Sequence, residues 1–109
     1  MKAKPVAPRE RARLDVEEAV DHHARAADET VALGFIDAVE RAYRHIARHP
    51  GAGSPRHGHE LDLAGLRSWP LKRYPYIVFY VDRENHIDVW RVPHAARDIP
   101  SWMRETNWA

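Results

Sequence analysis

The residues best suited to chemistry stand late in the chain, in the run Arg91-Val92-Pro93-His94-Ala95-Ala96-Arg97-Asp98. Two arginines, an imidazole and a carboxylate follow directly on an apolar run there. A second basic group, Arg67, Lys72 and Arg73, lies in a stretch from Leu63 to Val81 that holds no acid. These residue types suit metal-independent cleavage of RNA. That reaction needs a base for the 2′-hydroxyl, positive charge at the phosphate and an acid for the leaving oxygen. Arg67, Lys72, Arg73 and Arg91 would hold phosphate charge, and His94 would exchange the proton, its reference pKa lying near neutrality. The plainer reading of the late run is structural. Asp98 pairs with Arg91 or Arg97 and pins the last strand to the segment after it. A third reading, compatible with the second, makes Arg91, His94, Arg97 and Asp98 an edge that touches a target.

Eight histidines raise the question of a metal. His45 and His49 stand one helical turn apart, His57 and His59 sit nearby, and His22-His23 lie on an earlier helix. Two histidines at that spacing can share a zinc ion. The chain has no His-Glu-x-x-His pattern and no cysteine. Histidine is also at home in a last helical turn for dipole reasons. The sequence therefore implies no metal site and no cofactor, and the lack of cysteine excludes disulfide and thiolate chemistry.

These groups need elements to position them. From Arg9 to Glu29, Ala12, Val16, Ala19, Val20, His23 and Ala27 recur at helical spacing, with charged residues between them. A second helix is predicted from Thr30, as cap, to His49, with Ala32, Phe35, Ile36, Val39, Tyr43 and Ile46 inward. Pro50-Gly51 stops it. The short break at 28–30 makes the pair an antiparallel hairpin of helices. Residues 50–60 read as a loop. Strands are predicted over Leu66–Lys72, Tyr76–Val81 and His86–Val92, with Asp82-Arg83-Glu84-Asn85 as the turn between the last two. Lys2–Pro8 is an edge strand at best, because Pro5 and Pro8 each remove a ladder donor. Ala95–Arg104 reads as a short final helix.

This order implies an α+β fold: a helical hairpin on one face of a small antiparallel sheet of three or four strands. It divides a single domain into an arm (1–8), the hairpin (9–49), a loop (50–60), the sheet (61–94) and a C-terminal segment (95–109). Both faces of the strand Tyr76–Val81 are apolar, yet the hairpin covers only one. The second face calls for a cover: the C-terminal segment with Trp102, a second copy, or another protein. Exposed tyrosine and tryptophan would suit such an interface. Trp69 and Trp90, on strands, belong to core or interface, and Trp108 lies next to the end.

Length and charge set the outer bounds. One modest core is expected from 109 residues, 44% of them hydrophobic. The net charge is +1, and acids and bases balance in each half, so bulk charge argues against nucleic-acid reading. No stretch is apolar enough to span a membrane. The N-terminal lysines lack a following apolar region, so no secretory signal is expected and the location is expected to be cytoplasmic.

Four segments, in order and in register, resemble the ParE toxins of the RelE/ParE superfamily of type II toxin–antitoxin pairs. "RERARLDVEEAVDHHA" resembles the first helix, and "VALGFIDAVERAYRHIARHPGAGSPR" the second helix and its exit. "LAGLRSWPLKRYPYIVFYV" resembles the Leu-Arg strand running into a Tyr-containing strand, and "IDVWRVPHAARD" the terminal Arg-Val-x-His-x-x-Arg-Asp signature. Pro93 and Ala95 depart from the apolar residue and glycine common in that signature, and Pro5 and Pro8 interrupt the usual opening strand. The resemblance implies a helical hairpin against a small sheet and a ParD-like antitoxin whose tail wraps the toxin. It implies DNA gyrase as the target, inhibited by protein–protein binding without catalytic residues. The partner-facing residues would be Tyr76, Tyr80, Trp90, Arg91, His94, Arg97 and Asp98. The RelE branch offers the alternative of ribosome-dependent mRNA cleavage by Arg67, Lys72, Arg73, Arg91 and His94. No tyrosine follows Val92, where that branch tends to carry an aromatic or histidine acid–base pair. A third alternative keeps the fold and antitoxin binding but poisons nothing.

Overall fold

A computed structural model describes residues 3–96. The elements run β1 (Val6–Pro8), α1 (Glu10–Ala26), α2 (Glu29–Arg48), a 3-10 turn at Pro50–Ala52, α3 (Arg56–Leu61), β2 (Leu66–Pro70), β3 (Ile77–Asp82) and β4 (Ile87–Arg91). The sheet order is β1-β4-β3-β2. β2, β3 and β4 are antiparallel neighbours. β1 joins β4 in parallel, so the expected antiparallel sheet is mixed. α1, α2, α3, β2 and β3 lie between β1 and β4 in the chain, so no hairpin turn forces the two antiparallel. Arg9 N–H donates to the Val89 carbonyl at 2.9 Å, and Ile87 N–H donates to the Pro5 carbonyl at 2.9 Å. Pro5 and Pro8 are tolerated because β1 is an edge, where a missing donor leaves no partner waiting.

The two helices form the expected hairpin. α2 starts earlier than the sequence suggests, because Asp28 rather than Thr30 caps it, accepting from Val31 N–H at 3.0 Å. Its buried residues are Ala32, Phe35, Val39, Ala42, Ile46 and Ala47. The expected inward residues Ile36 and Tyr43 lie half-buried at the flanks. α1 buries only Ala12 and Ala19, so small side chains let it lie close against its neighbours.

Alternation along the strands separates two apolar layers. Val78 and Tyr80 of β3, with Ile87 and Val89 of β4, join Phe35, Val39 and Ile46 beneath the hairpin. Phe79, Val81, Trp90 and Leu66 form a second cluster on the opposite face, with Leu61, Leu63 and Ile77 against it. α3 lies over this second face, in the segment expected to be a loop. It packs so closely that a Cβ on Gly58 would stand 2.6 Å from the Leu66 carbonyl oxygen. Part of the missing cover is therefore supplied by residues 56–63 of the chain itself. The other predicted strands begin and end within two residues of those observed, β2 stopping at Pro70. Residues 95–104, where a final helix was expected, lie mostly outside the described residues, as do Trp102 and Trp108.

Candidate functional site

The signature run begins inside the fold. Arg91 leaves β4 on the hairpin side and meets Asp15 of α1 through two hydrogen bonds of 2.8 Å, from Nε to Oδ2 and from Nη2 to Oδ1. Asp15 Oδ2 also accepts from Val92 N–H at 2.9 Å. The two side chains are 9% and 12% exposed. This bidentate geometry fits a planar guanidinium to a carboxylate. Pro93 and His94 continue the joint. The Pro93 carbonyl accepts from Ile77 N–H at 3.0 Å, and His94 bridges Tyr76 in antiparallel fashion. Arg97 and Asp98 lie outside the described residues, and with them the expected pairing of Asp98.

A second carboxylate organises the opposite face. Asp88 accepts from Arg9 at 3.0 Å, from Trp90 Nε1 at 3.0 Å and from Arg83 at 3.1 Å. Arg9 also lies over the Trp90 ring, 4.6 Å from its centroid. Burial pushes the Asp88 carboxyl upward in pKa, but the hydrogen bonds from Arg9, Trp90 and Arg83 outweigh it and hold the group below the usual range.

Tyr80 is completely buried. Its hydroxyl donates to the Pro50 carbonyl at 2.7 Å and accepts from Gly53 N–H at 2.9 Å. Arg67 donates to the Gly53 carbonyl at 2.8 Å and the Gly51 carbonyl at 3.3 Å. Both side chains thus hold the exit of α2 onto the sheet. A Cβ on Gly53 would stand 2.5 Å from Tyr80 Oη, so this close approach needs glycine.

Tyr76 joins a cluster of rings with His23, Phe35, Tyr74 and His94, at centroid separations of 4.9 to 5.8 Å. His23 Nε2 is buried there with no hydrogen-bond partner among the described residues. Burial pulls the His23 pKa down, and His22 and His94 add to the effect.

A cleft of about 740 Å³ lies between α2 and the turn joining β2 to β3. Arg41, His45, Trp69, Lys72, Arg73 and Tyr74 stand on its walls. The Trp69 ring stacks on His45, 4.5 Å between centroids and 24° between planes. Arg73 holds a left-handed backbone, φ 69°.

These placements separate the residues proposed for RNA cleavage. Lys72 and Arg73 face the large cleft, Arg67 lines another beside α3, and His94 a third beside α1. Arg91 is occupied in the interior. Among the described residues they line three separate recesses or the interior. Among the residues expected to meet a partner, Tyr76, Tyr80, Trp90 and Arg91 are buried, and His94 is half-buried. Among the described residues no group of three metal-ligating side chains occurs, and His45 packs on Trp69 as well as near His49. Sequence reasoning missed Asp15. Its signal was an acid three residues after Ala12 and four before Ala19, on the stripe that faces the sheet.

The architecture defines an α+β domain with a helical hairpin against a four-stranded mixed sheet, closed by an arginine–carboxylate joint between α1 and β4. Residues 6–99 match the family described as "ParE toxin of type II toxin-antitoxin system, parDE", and the chain belongs to that family. A solved chain of the chromosomal ParDE TA system from P. aeruginosa superposes with a TM-score of 0.70 at 18% identity, over 84% of this chain and 96% of that one. This likeness establishes the shared fold. No curated protein matches the chain. Among the described residues, no helix is long and apolar enough to cross a membrane.

Proposed function

We propose that this ParE-family toxin inhibits DNA gyrase by protein–protein contact, without catalytic residues of its own, and is neutralised by a cognate ParD-like antitoxin. The observation that carries this reading is the position of Arg91. An arginine held by a largely enclosed carboxylate of α1 is badly placed to meet a phosphate in transit. The dispersal of Arg67, Lys72, Arg73 and His94 over three recesses supports the same conclusion, because acid–base catalysis needs its groups within hydrogen-bond reach of one reacting centre. Tyr76, Tyr80, Trp90 and Arg91 then serve the partner surface from behind by fixing its shape. His94, with Arg97 and Asp98 further along the chain, is the part that contacts it. Gyrase as the target rests on the family resemblance, since a fold by itself does not select a target.

The test is direct. Purified protein added to gyrase should stop supercoiling and accumulate cleaved DNA, and the antitoxin should reverse both. Unchanged supercoiling with no trapped cleavage complex removes gyrase as the target. Codon-specific cuts in cellular messages after induction would establish the endoribonuclease in its place.

A further inference from the structure

The stripe of α2 that faces the turn between β2 and β3 is thin. Gly34, Ala38 and Ala42 stand on it at helical spacing and carry little or no side chain to fill the gap. From Gly34 to Ala42 this floor runs about 12 Å along the helix. The cleft above it, of about 740 Å³, has the size of a small-molecule site. Its wall is aromatic. Trp69 of β2 is half-buried, and its ring stacks on His45 at 4.5 Å between centroids. Tyr74 is anchored by its hydroxyl on the Val31 carbonyl at 3.0 Å. Rings already held in place cost a ligand little further ordering.

The rim is cationic. Lys72 and Arg73 are exposed and, among the described residues, have no ion-pair partner. Arg41 adds a third positive group, shared with Asp37 at 2.8 Å. Arg73 stands at φ 69°, a backbone that costs an L-residue energy and that glycine adopts freely. Arginine at a position easier for glycine points to a use for its side chain. Fixed rings beside unmatched cations select a ligand that is flat at one end and anionic at the other. A nucleoside phosphate has both: a base to stack on the rings and phosphate oxygens for Lys72 and the guanidinium fork of Arg73. Asp37 stands on the α2 wall, where it disfavours phosphate and accepts from an amino-bearing base, so the phosphates lie toward the turn. A continuous nucleic-acid strand is a poorer fit. Asp37 and Glu40 lie along the exposed rim of α2, and the chain's net charge is only +1.

We propose that this cleft binds a free mononucleotide, its base stacked at Trp69 and its phosphates held by Lys72 and Arg73. The site does not depend on the gyrase or the antitoxin reading. While it is occupied, Trp69, Lys72 and Arg73 are closed to any protein partner, so the surface the toxin presents follows nucleotide concentration.

The experiment titrates purified full-length toxin with ATP and with GTP, and separately with adenosine, inorganic triphosphate and a 5′-phosphorylated oligonucleotide. Calorimetry gives affinity, and the indole N–H resonances give location. At least one nucleotide should bind once per chain with a Kd tighter than about 1 mM, and at least about tenfold tighter than adenosine or inorganic triphosphate. The Trp69 indole, assigned from Trp69→Phe, should shift on binding, and that of buried Trp90 should not. Lys72→Ala/Arg73→Gly should bind at least about tenfold more weakly and melt close to wild type, because glycine suits the backbone at position 73. Arg44→Ala/Arg48→Ala, the same charge change on exposed α2 positions outside the cleft, should bind within about twofold of wild type. No saturable nucleotide binding overturns the proposal, as does a shift confined to other indoles. Inorganic triphosphate binding as tightly as the nucleotides would leave only an anion contact, and equal weakening by the Arg44/Arg48 control would leave only bulk charge. Tighter binding of the oligonucleotide than of either nucleotide would give the cleft to nucleic-acid ends. Each of these three results also overturns it.

Discussion

Asp15→Ala should be among the most destabilising single substitutions in the chain. It removes the carboxylate that holds Arg91 and the acceptor of Val92 N–H together. Both side chains are close to nine-tenths enclosed, so water cannot readily replace the lost partner. Removing one member of such a pair leaves an uncompensated charge and costs about 3–5 kcal/mol. A domain of this size has a total stability of about 5–15 kcal/mol, so the loss is a large fraction of it. The expected fall in Tm is at least about 10 °C. Replacing both partners by apolar residues, Asp15→Leu with Arg91→Met, removes the buried charge altogether and should recover most of the loss. The Val92 N–H remains without its acceptor, so a deficit of about 1–2 kcal/mol should persist. Urea unfolding of the wild type, Asp15→Ala, Asp15→Leu, Arg91→Met and the double variant gives these losses and the coupling energy of the pair. Single variants that lose less than about 1 kcal/mol would refute the reasoning, as would a double variant no better than the worse single. The double variant also decides the role of Arg91. If it is folded and still arrests growth, the arginine is structural. Folded protein without toxicity would return Arg91 to the contact surface.

Three further outcomes follow from the same geometry. Tyr80→Phe strands the Gly53 N–H and the Pro50 carbonyl in the interior and should cost about 1–3 kcal/mol in urea unfolding, with the exit of α2 losing amide-exchange protection first. Asp88 has its pKa depressed in the folded state, so its stabilisation is present above the ordinary carboxylate pKa and is lost as pH falls through the lower folded value; Asp88→Asn should flatten that acid limb, and an unaltered limb would contradict the assignment. His23 is also depressed, chiefly by burial, so its contribution is present above about 6.5, the ordinary histidine value, and declines as pH drops below it. A titration of its ring protons showing a midpoint at or above that value would refute this.

The hairpin, the strands and the turn between β3 and β4 were legible because each carries a strong period or a turn signal. The apolar stripe of α2 is one example, and both apolar faces of β3 are another. The sequence also exposed a real tension, the uncovered second face. Its partial resolution by α3 was hidden, because "PGAGSPRHGHE" is rich in turn residues and a six-residue helix makes too little pattern to register. Asp28 and Thr30 are equally capable caps by type, and only the backbone path chooses between them. The parallel β1 was invisible for a different reason. Strand direction follows from where the chain returns, which a three-residue edge strand does not encode. At the site, residue type suggested that tyrosine, tryptophan and arginine late in the chain meet a partner. Type cannot say that Tyr80 finds two backbone groups inside, or that Arg91 finds Asp15 across 76 positions. Such pairings belong to tertiary structure alone.

The fate of the signature run bears on what family membership can teach. Arg91 and Val92 both converge on Asp15, Pro93 accepts from β3, and His94 bridges Tyr76. Four successive residues therefore fasten β4 to α1 and to β3. A joint of this kind constrains residue types tightly because each group has a fixed partner at a fixed distance, whatever the domain goes on to bind. The motif that makes the chain recognisable is thus the motif that holds it together. Target choice must come from surfaces the joint leaves free, and the cleft beside Trp69 is one of these. Two proteins sharing the signature and differing at Trp69, Lys72 and Arg73 should then share a fold and differ in partner. Exchanging those three residues between such a pair, with the signature untouched, should move antitoxin preference without moving Tm, and a pair whose preference instead follows the signature would refute the division.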